Sequence, residues 1–282
     1  MNIENIRYKI TKLYRLINLK IENFGLLMFY KNKNNILFEK IIKTNREYLS
    51  SFKYFLSKEN YHNNDYGIQA RIYKELNKPI KEYPTYSDFI CFLYLNHFKE
   101  NFNYLEIGCS VLKNVLQIKN FVSDSNIVSY DINEINPDLK VRYFKKEKNN
   151  NVEYFKGDVL KKEDYLNFRN SSSHKYNFIF SDALHEPHAV YSEFENIYKD
   201  LLDEKFIIYY DDLDFPGLKK TVEKIKVELS KSYNSLNFYT FKVYGWIGQY
   251  ENLHLNGILT NLDLEKSLNE NDIQIYKLKK IS

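Results

Sequence analysis

A short apolar run that stops at a glycine and turns at once into a helical pattern, NYLEIGCSVLKN over residues 103–114, constrains this chain more than any other feature. A strand that ends this way leaves amide N–H groups and the positive end of a helix dipole facing a ligand. The alternation then repeats. Short apolar strands are predicted near 103–107, 126–130, 152–156, 176–181 and 205–210, with helices near 111–122, 134–146, 161–170, 187–202 and 216–231. Such repetition demands an α/β fold whose mostly parallel sheet is covered by helices on both faces. Runs at 237–244 and 252–260, joined through Gly245 and Gly248, read as an antiparallel C-terminal strand pair, which makes seven strands.

Residues 1–84 read differently and are taken as a helical N-terminal extension to a domain spanning 85–282. Ile6, Ile10, Leu13, Leu16 and Ile17 keep helical spacing in an amphipathic, lysine-rich segment from Ile3 to Ile21, and a second helix is expected from Ile36 to Leu56. A polar loop with Asn60, Asn63, Asn64, Asp65 and Gly67 follows, then a connector from Pro79 to Pro84 and a helix from Tyr86 to Phe98. The extension carries no legible chemistry; it is expected to cover the site or to form an oligomer interface.

With 44% hydrophobic residues in 282, the chain can bury a sizeable core. Its 41 basic residues against 37 acidic ones leave a net charge of +4, too balanced to imply a polyanionic partner by itself, and the bias to lysine over arginine reads mainly as the mark of an AT-rich coding genome, since a nucleic-acid surface is expected to use more arginine. Cys91 and Cys109 form no CxxC pair and no disulfide framework, which fits a reducing compartment. No run approaches the roughly 18 apolar residues that cross a bilayer, and the amino terminus lacks signal-peptide features, so a cytoplasmic location is expected.

The predicted strand ends carry the chemistry. Glu106, Gly108 and Ser110 close the first strand. A dinucleotide fingerprint needs glycines at three places; Ser110 and Leu112 occupy the later two, and Leu112 argues against a bound pyrophosphate. The Glu106 carboxylate suits an ammonium group better than a phosphate. Asp131, at the end of the second strand, either accepts the hydroxyls of a ribose or, with Asn133, caps a helix beginning near Glu134. Gly157 and Asp158 after the third strand are either an adenine-side contact or an ordinary turn. Asp182, His185 and His188 follow the fourth strand, and Asp211 and Asp212 the fifth. Three carboxylates from neighbouring strands repel unless a cation or protonation relieves them, and hard oxygen ligands favour Mg²⁺, Ca²⁺ or Mn²⁺. Against this, Asp211 or Asp212 is placed to cap a helix starting near Pro216, and His188 falls where packing or surface residues are common.

Together these residues resemble the class I S-adenosylmethionine-dependent methyltransferases over roughly residues 85–262, which implies a Rossmann-like doubly wound sheet. LEIG resembles their first motif, YDI their ribose-binding position, GDV their adenine-side motif and FIFSDALH their fourth-strand motif. DALHEPHAVYSEFE looks like the pattern of small-molecule O-methyltransferase-like members, and Asp182 with Asp211 and Asp212 resembles the metal set of catechol-type enzymes. The resemblance implies S-adenosylmethionine as cofactor, bound by Glu106, Gly108, Ser110, Asp131, Ile132, Asp158, Val159 and Asp182. It implies a divalent ion on Asp182, Asp211 and Asp212, and catalysis by His185 and Asp182 on a small hydroxylated acceptor. The fourth strand is followed by no Asn/Asp-Pro-Pro-Tyr/Phe run and no Pro-Cys nucleophile, which disfavours nucleic-acid base methylation. Two alternatives remain: a non-catalytic methyltransferase-like binding or partner module, suggested by the degenerate glycine turn, and a nucleic-acid methyltransferase docking through its lysine-rich helices.

Overall fold

The structure, a computed structural model, describes residues 36–52, 83–122, 125–143, 152–172, 174–245 and 253–282, with 13, 17, 18, 20–22, 24, 25, 28 and 29. Most of the expected helix at 3–21, the 60–67 loop, most of the 79–84 connector, Gly248 and the Lys/Asn run at 145–151 lie outside the described residues.

One sheet organises the chain. Its strands are β1 (Asn103–Ile107), β2 (Asn126–Asp131), β3 (Val152–Lys156), β4 (Tyr176–Ser181), β5 (Leu202–Tyr210), β6 (Asn237–Tyr244), β7 (Leu253–Thr260) and β8 (Lys279–Ile281). They lie in the order β3-β2-β1-β4-β5-β7-β6-β8, with β1 to β5 parallel and β7, β6 and β8 antiparallel to their neighbours. This is the expected doubly wound, Rossmann-like α/β fold with its antiparallel C-terminal pair, extended by an eighth strand. The chain runs outward from β1 through β2 and β3, then returns to continue on its other side at β4. The crevice at the carboxyl ends of β1 and β4 is therefore the topological switch point where such sheets bind ligands.

The helices are α1 (Ile36–Phe52), α2 (Tyr86–His97), α3 (Lys113–Phe121), α4 (Pro137–Tyr143), α5 (Lys162–Ser171), α6 (Pro187–Ser192), α7 (Leu218–Leu229) and α8 (Leu264–Glu270). Strand alternation divides the core between two faces. Tyr104, Phe178, Phe180 and Tyr209 pack with Ile41 and Leu49 of α1, Phe89 and Phe92 of α2, and Val115 and Leu116 of α3. Leu105, Ile107, Ile179 and Ile208 pack on the other face with Phe168, Val190, Val222 and Ile225. A buried ion pair ties α1 to the domain: Arg46 Nη2 lies 2.6 Å from Asp88 Oδ2 at the start of α2, and Asn45 Nδ2 donates to Asp88 Oδ1 at 2.8 Å. No helix among the described residues is long and apolar enough to cross a membrane.

Several boundaries differ from expectation for local reasons. Helix α3 starts at Lys113 rather than 111 because Ser110 and Leu112 hold left-handed backbone. Helix α4 starts at Pro137, and Asn136 Oδ1 accepts the Asp138 amide at 2.8 Å, so Asn136 does the capping that the alternative reading gives to Asp131 or Asn133. The single helix expected at 187–202 is α6 followed by a π-turn at Glu193–Tyr198 and a 3₁₀ turn at Lys199–Leu201. Strand β5 starts at Leu202, extending through the polar stretch Asp203–Lys205 that hid it. Helix α8 and β8 were not anticipated, although Asp263 is a legible N-cap, its Oδ1 accepting the Lys266 amide at 3.0 Å.

Candidate functional site

The turn after β1 is built by backbone. Gly108 has φ +89°, and a Cβ there would lie 2.3 Å from the Asp182 carbonyl oxygen and 2.5 Å from Ala183 Cα. Only glycine lets the ends of β1 and β4 approach this closely. Gly108 N donates to Tyr130 O and Asp182 N to Ile107 O, both at 2.8 Å, which locks β2, β1 and β4 together at their carboxyl ends. Ser110 (φ +47°) and Leu112 (φ +58°) also take the left-handed conformation. The places of the absent glycines thus keep the backbone that glycine would supply, at a cost of about 1–2 kcal/mol for each side chain. The Leu112 side chain is fully buried in the first core.

Glu106 is 1% exposed and points to the α2–α3 face of the sheet. Its Oε2 accepts from Tyr104 Oη at 2.5 Å and Asn114 Nδ2 at 2.8 Å. Burial pushes its carboxyl up to about 8, with the Asp182 charge adding to the rise and the hydrogen bonds and Lys113 opposing it. Next to Asn114, Lys113 opens α3 and is itself buried, its Nζ donating to the Tyr86 hydroxyl at 2.9 Å. Burial brings this ammonium down to about 8. Neither Lys113 nor Tyr86 was read as functional, because a lysine at a predicted helix start looks solvated and an aromatic in an apolar helix looks like core.

Asp131 braces the turn: its Oδ2 accepts the Ser110 amide at 2.7 Å, and its Oδ1 accepts the Asn133 amide at 2.8 Å. Ile132 beside it is an exposed large hydrophobic residue at the rim. Asp158 forms an Asx turn, Oδ1 accepting the Leu160 amide at 2.9 Å, while its own amide donates to Asp164 Oδ2. Val159 is buried in the second core, and its carbonyl accepts from Ser192 Oγ at 2.7 Å. Glu106, Asp131, Asp158 and Asp182 accordingly occupy the carboxyl ends of four adjacent strands, ordered β1, β2, β3 and β4 in the chain.

The rim beyond β4 is built by charge. His185 Nε2 lies 3.3 Å from Asp182 Oδ1, and its Nδ1 lies 3.6 Å from Asp212 Oδ2. Burial alone would lower the imidazole, but the Asp182 hydrogen bond and the surrounding carboxylates carry it up to about 8. Burial and the Asp211 charge raise Asp182 to about 7. At the end of β5, His254 Nδ1 lies 3.1 Å from Asp211 Oδ1 and 2.7 Å from Asp212 Oδ1. Asn256 also donates to Asp211, and Tyr209 Oη donates to Asn256 Oδ1 at 2.9 Å. Against its burial, the two carboxylates hold His254 well above the usual histidine range, and the imidazole in turn keeps Asp211 low despite burial.

Among the described residues, the ligand atoms that converge within 4.8 Å are those of Asp211, Asp212 and His254. Asp182, expected as a third ligand, is not part of this group; its Oδ1 lies 3.3 Å from His185 Nε2. His254 was missed, although the antiparallel β5–β7 pairing brings the start of β7 to the end of β5. Neither Asp211 nor Asp212 caps the next helix, whose N-cap is Gly217. His188 faces outward and pairs with Glu186 at 3.3 Å. Beneath the rim, Glu193 is fully buried on the π-turn, and Ser181 Oγ donates to its Oε2 at 2.5 Å.

No family model matches the chain, and no curated protein matches it. Solved structures with a similar fold include an O-methyltransferase from Bacillus cereus in complex with S-adenosylhomocysteine, 16% identical over 70% of this chain and 90% of that one, at a TM-score of 0.48. Another is the O-methyltransferase TomG from Streptomyces achromogenes in complex with S-adenosylmethionine, 12% identical over 70% and 89%, at 0.47. A third is spermidine synthase from Thermotoga maritima, 12% identical over 65% and 61%, at 0.41. At scores below 0.5 these likenesses carry no functional weight.

Proposed function

We propose that this protein is an S-adenosylmethionine-dependent methyltransferase that acts on a hydroxyl group of a small acceptor. The observation that carries the reading is the row of acids along one rim, Glu106, Asp131, Asp158 and Asp182, beside a turn whose backbone is left-handed at residues 108, 110 and 112. A sulfonium nucleoside offers matching groups: an ammonium for Glu106, ribose hydroxyls for Asp131, and an adenine for Asp158 and the exposed face of Ile132. It carries no phosphate, which suits a crevice lined by carboxylates.

The bound cofactor supplies a methyl group already activated for transfer. The chain's own task is to align the acceptor oxygen with that methyl and to take up its proton. His185, between Asp182 and Asp212, is the base within this arrangement; its neutral form accepts the acceptor's proton, and the two carboxylates stabilise the resulting imidazolium. Asp211, Asp212 and His254 are the residues that would hold a divalent ion, and this mixed oxygen and nitrogen donor set suits Mn²⁺, Fe²⁺ or Zn²⁺ better than Mg²⁺ or Ca²⁺. Such an ion would supply Lewis acidity toward the acceptor hydroxyl.

Calorimetry with S-adenosylhomocysteine tests the reading. Binding is expected in the wild type, with a loss of about 10- to 100-fold in Asp131→Asn. An unchanged affinity in that variant removes the ribose assignment. No binding to the wild-type protein ends the cofactor reading and favours the non-catalytic alternative.

A further inference from the structure

A helix lying on a domain normally buries its apolar stripe and turns its charges to water. The N-terminal segment does the reverse. Its residues 13, 17, 18, 20–22, 24, 25, 28 and 29 are helical. Toward the sheet it turns Glu22, whose carboxylate pairs with Lys242 of β6 and lies 2.5 Å from Lys277 Nζ. Gly25 and Phe29 press on Tyr276: a Cβ at 25 would meet the tyrosine oxygen at 2.6 Å, and the Phe29 and Tyr276 rings lie 5.5 Å apart. Leu13, Ile17, Ile21, Phe24 and Met28 are instead between 40% and 64% exposed, and they make up five of the eleven large hydrophobic side chains exposed among the described residues. Helical spacing puts these five on one stripe about 80° wide, on a different face from Glu22, Gly25 and Phe29. An apolar stripe left in water in this way marks a surface that something covers.

Charge says what covers it. Residues 1–33 hold seven basic side chains and two acidic ones, whereas the other 34 basic and 35 acidic residues of the chain nearly cancel. One of the two acids, Glu22, is already neutralised by its lysines. A second copy of the segment would bring like charge against like charge. A nucleic acid would take the cations but leave five apolar side chains wet. A protein groove that wraps a helix is barred by the face pinned to the sheet. A flat anionic surface with an apolar interior uses the cations and the stripe together. We propose that Leu13, Ile17, Ile21, Phe24 and Met28 insert at the headgroup–acyl boundary of an anionic bilayer, so that the protein docks on a lipid surface through its N-terminal segment. The docking is peripheral, and it stands or falls independently of the methyltransferase reading.

Flotation of the 282-residue protein with vesicles of phosphatidylcholine, alone or with about 30% phosphatidylserine, tests this. Binding to the mixed vesicles is expected to be tighter by about 10-fold or more, and to weaken as NaCl rises from about 50 to about 500 mM. Replacing two exposed side chains together, Ile21→Ser with Phe24→Ser, should weaken it by about 10-fold or more at an unchanged thermal midpoint. Equal affinity for the two vesicle types, or none for either, overturns the proposal, as does a folded double variant that binds like the wild type. Where the double variant does not fold, Phe24→Trp decides: brominated lipid should quench its fluorescence beyond the wild-type level set by the one native tryptophan, Trp246, and no added quenching rules out insertion. A concentration-dependent dimer that the double variant abolishes, in a protein that floats with neither vesicle, gives the stripe to a second copy of the chain and also overturns the proposal.

Discussion

The turn after β1 is shaped by backbone, whereas the rim of β4, β5 and β7 is shaped by charge. In the turn, three residues hold left-handed φ and the closest approach is a glycine against the Asp182 carbonyl. On the rim, two imidazoles stand among three carboxylates, with separations from 2.7 to 3.6 Å. The difference separates two kinds of preorganisation. Backbone geometry holds its shape at any pH, while a cluster of carboxylates and imidazoles holds its shape only in the protonation state that balances it. A crevice built of both keeps one side fixed in shape and another whose charge responds to what enters.

The strongest way to break this contrast is Gly108→Ala. Left-handed backbone costs an alanine about 1–2 kcal/mol and overpacking against the Asp182 and Ala183 backbone about 1–3 kcal/mol. We expect a loss of about 2–5 kcal/mol in chemical denaturation, with S-adenosylhomocysteine binding lost in whatever folds. A variant with wild-type stability would show that β1 and β4 separate freely, and the turn would not be a rigid element at all.

His254→Gln probes the other side and should cost less, about 1–3 kcal/mol near pH 6, because glutamine keeps a donor but not the cation between Asp211 and Asp212. The sign of its pH dependence follows from the raised imidazole. The folded protein holds this proton more tightly than the unfolded chain, so the stabilisation is fully present below the ordinary histidine value and is lost as pH rises through the higher folded one. In EDTA-treated protein, thermal denaturation from pH 6 upward should therefore show the wild-type advantage shrinking. An advantage that is constant with pH would mean that His254 acts by packing rather than by charge, for example against Gly245, where a Cβ would meet its Nε2 at 2.2 Å.

How much of this was legible follows the same division. Features written by local rules were readable: β1, β3, β4 and β6 match the expected spans, and the acids at strand ends stand where alternation put them. What escaped depends on long-range placement. His254 joins Asp211 only through the β5–β7 pairing, and its own surroundings in sequence give no hint of that. Lys113 and Tyr86 meet only because α2 packs over the start of α3. The reverse error occurred at Ser110 and Leu112, where the missing glycines suggested a degraded turn although the left-handed backbone is retained. Residue type is a guide to φ, but packing that over-determines a turn can impose the conformation on a side chain that resists it.

That last point yields the smallest and most selective test. At Ser110 the turn carries a side chain in a conformation that disfavours it by about 1–2 kcal/mol, while a glycine would add about 0.5–1 kcal/mol of unfolded-state entropy to be lost on folding. Ser110→Gly keeps the amide that donates to Asp131 Oδ2 at 2.7 Å, so it should stabilise the protein by about 0.5–1 kcal/mol, read as a higher urea midpoint at unchanged slope. Leu112→Gly is the contrasting case, since the same strain is relieved but a fully buried side chain is deleted, and a net loss is expected. If Ser110→Gly were also destabilising, the serine side chain rather than the backbone conformation would be what the turn requires, and the contrast between a backbone-built turn and a charge-built rim would fail at its first member.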